Sequence, residues 1–263
     1  MRTTPVFAAM LTILAAGLLL TAHVAQAAEP AKSAKAAPAT DEQRDVERAN
    51  AEKTAVKPAA KTVDRWEKDI AAMLAKDTKA PPPTGGIVFT GSSSVRLWDL
   101  TQAFPDLPVV NRGFGGSQIH DATRYAPRIV TPLQPKLVVF YSGDNDIKAG
   151  KTPERTAADF QAFCAAVHKE LPKTRIWFIA IKPCPSRWNL IEQQKTANEL
   201  IRQQCAADPQ RLLYVDIVPA MLGADGQPNK DLFVKDMLHM SPAGYKLWND
   251  QLHKLLAEQK PLE

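Results

Sequence analysis

Five short apolar runs, separated by segments of helical periodicity, constrain this chain more than any other feature of its sequence. They cover residues 87–90, 108–111, 137–142, 175–181 and 212–216. A strand that is apolar on both faces needs cover on both, and strands that alternate with helices are joined by parallel crossovers. The expected fold is therefore a parallel sheet between two helical layers. Helices are expected over 118–129, 153–171, 189–207 and 242–256, the last with Ser241 as N-cap and Pro242 in its first position. An amphipathic helix over 63–74 precedes the Pro- and Gly-rich hinge 81–86 that leads into the first strand.

The segments ahead of this region read differently. Residues 1–27 have the form of an export signal, with Arg2, an apolar run over 6–20 and the small-residue pattern Ala25-Gln26-Ala27. The run is shorter than the roughly 20 residues a spanning helix needs, so cleavage after Ala27 and a periplasmic or secreted location are expected. Residues 28–61 are Ala, Lys, Pro, Glu and Thr with almost no large apolar side chain. Such a segment cannot bury enough surface to offset the entropy of ordering, and a disordered linker is expected. Residues 62–258 suffice for one well-buried core, a single catalytic domain, followed by a tail over 259–263.

The net charge of +5 is spread along the chain without a dense Lys/Arg block, so no nucleic-acid partner is expected. Cys164, Cys184 and Cys205 are too scattered for a zinc site, and no CxxC or clustered His accompanies them. Export would permit two of the three to pair.

In sheets of this kind ligands bind beyond the carboxyl ends of the strands, where the strand order reverses. Polar residues gather there: Gly91-Ser92-Ser93-Ser94 after the first strand, Gly115-Gly116 after the second, Gly143-Asp144-Asn145-Asp146 after the third. Taken singly, each is ordinary turn chemistry. A serine at a helix N-terminus, however, sits where backbone N–H groups and the helix dipole favour an oxyanion. Ser93 fits that position, with Ser92 and Ser94 left open. A serine nucleophile also needs a base held in orientation by a third group, and Asp236-x-x-His239 offers both. Gly116, through its backbone, and Asn145, through its amide, offer donors to a tetrahedral intermediate. His120, His168 and His253 fall in helical patterns, as surface or packing residues.

These blocks, in this order, resemble the SGNH or GDSL-type hydrolases from Gly86 to the final helix. The resemblance implies a flavodoxin-like three-layer α/β/α sandwich, strand order 2-1-3-4-5, with neither metal nor cofactor. It implies a catalytic triad of Ser93, Asp236 and His239, and an oxyanion hole built from the Ser93 and Gly116 N–H groups and the Asn145 side chain. The family's usual Gly-Asp-Ser reads Gly91-Ser92-Ser93 here, and the variant resembles an exported bacterial subgroup with a Gly-Ser-Ser-Ser block. The family cleaves lipids, acyl thioesters and acetylated sugars on one scaffold, so substrate has to be argued from the site. Arg112, Arg187 and Trp188 are expected at its mouth, an Arg and a Trp there suiting the holding of an anionic group or stacking on a sugar ring, with a Trp that packs the last helix as the alternative for Trp188. No long apolar lid is visible. The expectation is an exported serine esterase for small acyl groups, acetyl first, on a small-molecule ester or acylated glycan, without a membrane span after signal cleavage. A lysophospholipase or acyl-thioesterase with the same triad, and a non-catalytic glycan-binding envelope protein, are the competing readings.

Overall fold

The computed structural model describes residues 65–258; the expected export signal, linker and C-terminal tail lie outside the described residues. Five strands make one sheet: β1 (Ile87–Gly91), β2 (Val109–Gly113), β3 (Leu137–Tyr141), β4 (Arg175–Ile179) and β5 (Leu212–Val215). The order is β2-β1-β3-β4-β5 and every neighbouring pair is parallel, as expected. In chain order the helices are α1 (Glu67–Lys79), α2 (Ser93–Arg96), α3 (Leu100–Ala103), α4 (Ile119–Ile129), α5 (Asp144–Lys148), α6 (Pro153–Glu170), α7 (Ile191–Ala207), α8 (Val218–Met221) and α9 (Pro242–Glu258).

The period-two alternation of the strands sorts their side chains into two cores. Val88, Val138, Phe140, Ile176 and Phe178 pack with residues of α4, α6 and α7. Ile87, Phe89, Val139, Tyr141, Trp177 and Ile179 face the other way and pack with residues of α2, α3 and α9. Phe140 stacks on Phe163 of α6 at 4.2 Å between ring centroids. On the opposite face Trp248 of α9, fully buried, meets Tyr141 at 5.0 Å and Trp98 at 5.3 Å. Each such buried ring contributes about 1.5–3 kcal/mol through apolar burial alone, so α9 is fastened to the middle of the sheet.

Three features differ from expectation, each for a local reason. Helix α1 begins at Glu67 and runs to Lys79, with Glu67 and Asp69 in its first turn and Lys76 and Lys79 in its last, the arrangement the helix dipole favours. The helix expected from residue 189 begins at Ile191, because Pro185–Leu190 forms a 3-10 segment in which Arg187 leaves helical geometry at φ −128°. The segment after β3, expected as a tight turn, opens the short helix α5. All three cysteines are buried and none is paired.

Strand β1 ends in glycine for a steric reason. Gly91 has φ +128°, and a Cβ there would stand 1.9 Å from the carbonyl oxygen of Tyr141 in the neighbouring strand. Gly91→Ala is expected to destabilise the fold by about 3 kcal/mol, measured as a lower urea midpoint at unchanged m-value.

Candidate active site

The register of the sheet brings three strand ends level. Gly91 pairs with Gly113 of β2 on one side and Tyr141 of β3 on the other. The chain leaves β1 for β2 and returns to β3 across it, so a crevice opens at the point of reversal. The segments beyond these three ends line a cavity of about 970 Å³ that contains Ser93, Gly116, Asn145, Arg112, Arg187 and His239.

The three adjacent serines are sorted by burial. Ser92 caps α2 with extended backbone; its N–H donates to Tyr141 O at 3.0 Å and its hydroxyl is buried without a partner. Ser94 is buried and its Oγ accepts from Lys182 Nζ at 3.1 Å. Ser93 alone of the three lines the cavity. Its Oγ lies 3.0 Å from His239 Nε2, and His239 Nδ1 lies 2.6 Å from the Asp236 carboxylate.

The loop that carries these last two residues is braced from several sides. Asp236 Oδ1 accepts from the N–H groups of Leu238 and His239, each at 2.9 Å. Burial works against the Asp236 carboxylate, but the bond from the His239 imidazole and the two backbone donors outweigh it and hold its carboxyl at about 2. Asp236 is thus ionised across the working range of any neutral-pH chemistry. Met237 between them takes a left-handed φ of +56°, and its carbonyl accepts from Ser186 N–H at 3.1 Å, which ties the loop to the segment after β4. Ser241 caps α9 as expected, its Oγ accepting from Gly244 N–H at 3.2 Å. Tyr245 of α9 donates to Ser94 O at 2.9 Å and so joins the last helix to α2.

Unused donors converge on the same space. Among the described residues the backbone N–H groups of Ser93 and Gly116 have no partner. Gly116 holds φ +73°, a conformation suited to glycine. The Asn145 amide donates one N–H to Ser117 O at 3.0 Å, and its carbonyl oxygen accepts from Arg187 Nη2 at 2.9 Å. These two contacts define which way the amide points and leave its second N–H free.

Beneath Asn145 lies a buried charge cluster. Asp144 is within 3.3 Å of Lys182 Nζ and 3.1 Å of Arg187 Nη1, and Lys182, wholly buried, also donates to Tyr141 Oη at 2.9 Å. Burial raises the cost of the Asp144 charge, but Lys182 first and Arg187 next hold its carboxyl below the usual range. Burial, reinforced by Asp144, pushes the Tyr141 phenol well up.

The residues expected at the mouth are placed unequally. Arg112 and Arg187 line the cavity, but both guanidiniums are engaged, Arg112 with Asp77 of α1 at 2.7 Å and Arg187 with Asn145 and Asp144. Trp188 is not at this mouth. Beyond the non-helical Arg187, Trp188 with Ser186 and Met237 lines a separate cavity of about 860 Å³. Two arginines are among the cavity residues that escaped the sequence reading. Arg65 comes from just before α1, and Arg96 sits one turn beyond Ser93, a spacing that could have flagged it. A cluster of metal-ligating type, His120, Asp146 and Asp159, is filled by the Lys151 ammonium, which bonds all three at 2.6–3.0 Å.

Residues 84–247 match the family model for the GDSL-like lipase/acylhydrolase family. The chain belongs to that family. It is a serine hydrolase of the GDSL type. The fold is similar to that of a protein from Streptococcus pneumonia named for platelet activating factor, at 21% identity, with 72% of this chain and 92% of that one covered and a TM-score of 0.65. A GDSL-like lipase from Bacteroides thetaiotaomicron is similar at 17% identity, 72% and 98% coverage and a TM-score of 0.61. A variant of an acetyl-xylooligosaccharide esterase from Geobacillus stearothermophilus is similar at 15% identity, 67% and 96% coverage and a TM-score of 0.54. In a comparison by sequence no curated protein matched.

Lys182→Met removes one of the two cations that hold the buried Asp144 charge. It is expected to cost about 3 kcal/mol of stability, measured by urea unfolding.

Proposed function

We propose that this hydrolase is an exported esterase that removes short acyl groups, acetyl first, from carbohydrate hydroxyls through an acyl-enzyme on Ser93. The observation that carries the reading is the chain of contacts from Ser93 Oγ to His239 to Asp236 beside three unused N–H donors. Ser93 Oγ attacks the ester carbonyl while its proton passes to His239 Nε2, and Asp236, ionised, offsets the imidazolium that forms. The Ser93 and Gly116 N–H groups and the free Asn145 N–H receive the oxyanion. Collapse expels the alcohol, which takes the proton from His239. Water then repeats the sequence on the acyl-enzyme and releases the carboxylate.

The acyl preference rests on the walls. The cavity around Ser93 has few large apolar side chains, Met73, Phe114 and Leu238, set among arginines and carboxylates. An acyl tunnel would add about 0.8 kcal/mol per methylene, and this lining supplies little to follow a growing chain. The carbohydrate preference draws on the similar fold named as an acetyl-xylooligosaccharide esterase. Export rests on the signal-like residues 1–27. No helix among the described residues is long and apolar enough to cross a membrane.

A fluorophosphonate probe tests the nucleophile. One adduct is expected, on Ser93, retained in Ser92→Ala and Ser94→Ala proteins and lost with Ser93→Ala; an adduct on either neighbour would overturn the assignment. Arg187→Met removes the bond that orients the Asn145 amide while keeping the amide itself, so kcat should fall about a hundredfold with little change in KM. A change confined to KM would mean that Asn145 binds substrate instead. Across p-nitrophenyl esters from acetate to decanoate, kcat/KM should stop rising after a few carbons, and a rise continuing to octanoate would favour a lysophospholipase.

A further inference from the structure

The cavity around Ser93 has more positive charge on its walls than its own carboxylates neutralise. On the lining, Arg65, Lys76, Arg96, Arg112 and Arg187 stand against the carboxylates Asp69 and Asp77; Arg112 pairs with Asp77, and Arg187 shares the buried Asp144 with Lys182. Arg65 and Arg96 have no ion pair or side-chain hydrogen bond among the described residues, and both are exposed. They flank the same turn. Arg65 Nη2 lies 2.7 Å from where a Cβ on Gly116 would stand, and Arg96 Nε lies 3.0 Å from where one on Gly115 would stand. Two guanidiniums thus lie against the backbone of adjacent glycines, beside the Gly116 N–H.

Arg65 is also held from behind. Its guanidinium stacks over the Trp66 ring at 4.8 Å, and Trp66 Nε1 donates to Gly115 O at 2.9 Å. Stacking orients the guanidinium fork without neutralising it or occupying its donors. Arg96 comes from α2, one turn beyond Ser93. Two unpaired cations against adjacent glycines repel each other until an anion bridges or joins them, and the planar guanidinium fork matches carboxylate and phosphate oxygens.

We propose that Arg65 and Arg96 form a subsite for an anionic group, a carboxylate or a phosphate, on the alcohol part of the ester. The proposal rests on the esterase reading of the Ser93 site. In that reading the acyl group is short and uncharged, so the negative charge belongs to the alcohol. The substrate class is then narrower than acylated carbohydrate: an acyl ester on an acidic carrier.

The test compares kcat/KM for 4-acetoxybenzoate, 4-acetoxyphenyl phosphate and neutral phenyl acetate in the wild-type and Arg65→Gln/Arg96→Gln proteins. Ratios between the two proteins cancel the intrinsic reactivity of each ester. The double variant should lose about tenfold more on at least one anionic ester than on phenyl acetate, and the anion with the larger loss identifies the group. Added salt should lower the wild-type rate on that ester more than on phenyl acetate. Equal loss on all three esters would overturn the proposal, because the arginines would then act on the oxyanion alone; no loss on any would overturn it too. Failure of the esterase reading looks different, with no turnover of phenyl acetate and no probe adduct on Ser93. Calorimetric binding of 4-hydroxybenzoate and 4-hydroxyphenyl phosphate to the two proteins decides the subsite in that case, since weaker binding to the double variant supports it and equal binding rejects it.

Discussion

The level pairing of Gly91 with Gly113 and Tyr141 sets the geometry of everything above the sheet. With three strand ends at one height, a residue two beyond β1, three beyond β2 and four beyond β3 all emerge around the same crevice. Ser93, Gly116 and Asn145 stand at those positions. A slip of one residue in a parallel ladder would turn each inward side chain outward, so the two apolar cores that hold the register also hold the site. The closeness of Gly91 to the Tyr141 carbonyl makes that register intolerant of even one methyl group.

Arg187 connects this frame to the chemistry. Its guanidinium fork reaches the Asn145 carbonyl oxygen with one nitrogen and the Asp144 carboxylate with another. Lysine, a point charge with no planar fork, would have to choose between them. Counting Lys182, the cluster under Asn145 holds two cations and one carboxylate. Its surplus positive charge lies in a poorly solvated region beside the place where negative charge is proposed to develop, and there such a charge acts with little screening.

Much of the fold could be read from the sequence, because β1, β3 and β4 are short runs of branched and aromatic residues that only a doubly covered sheet can accommodate. Their order was not contained in those runs and came from the family resemblance. The start of α2 at Ser93 was legible from the strand-to-helix turn, but the length of α2 and the existence of α5 were not, since a segment of four or five residues has no periodicity to detect. At the site, residues adjacent to strand ends were visible because topology places such residues together. Arg187 and Trp188 line different cavities, which their adjacency in sequence does not reveal. Arg65 was missed for the opposite reason: it arrives from a segment distant in sequence, and nothing local distinguishes it from the chain's other basic residues. The Asp236–His239 pair, four residues in one loop, was the easiest part to read.

The cysteines carry a further consequence. Each of the three is buried and unpaired, and burial, as the leading cause, pushes each thiol above its ordinary range, Cys205 to about 12. The thiolate that begins disulfide exchange is therefore scarce at all three positions. No covalent cross-link contributes to holding β-sheet and helices together in the described residues, so the domain's stability is independent of the redox poise of its surroundings. The described domain therefore needs neither an oxidant nor a disulfide isomerase to reach this fold.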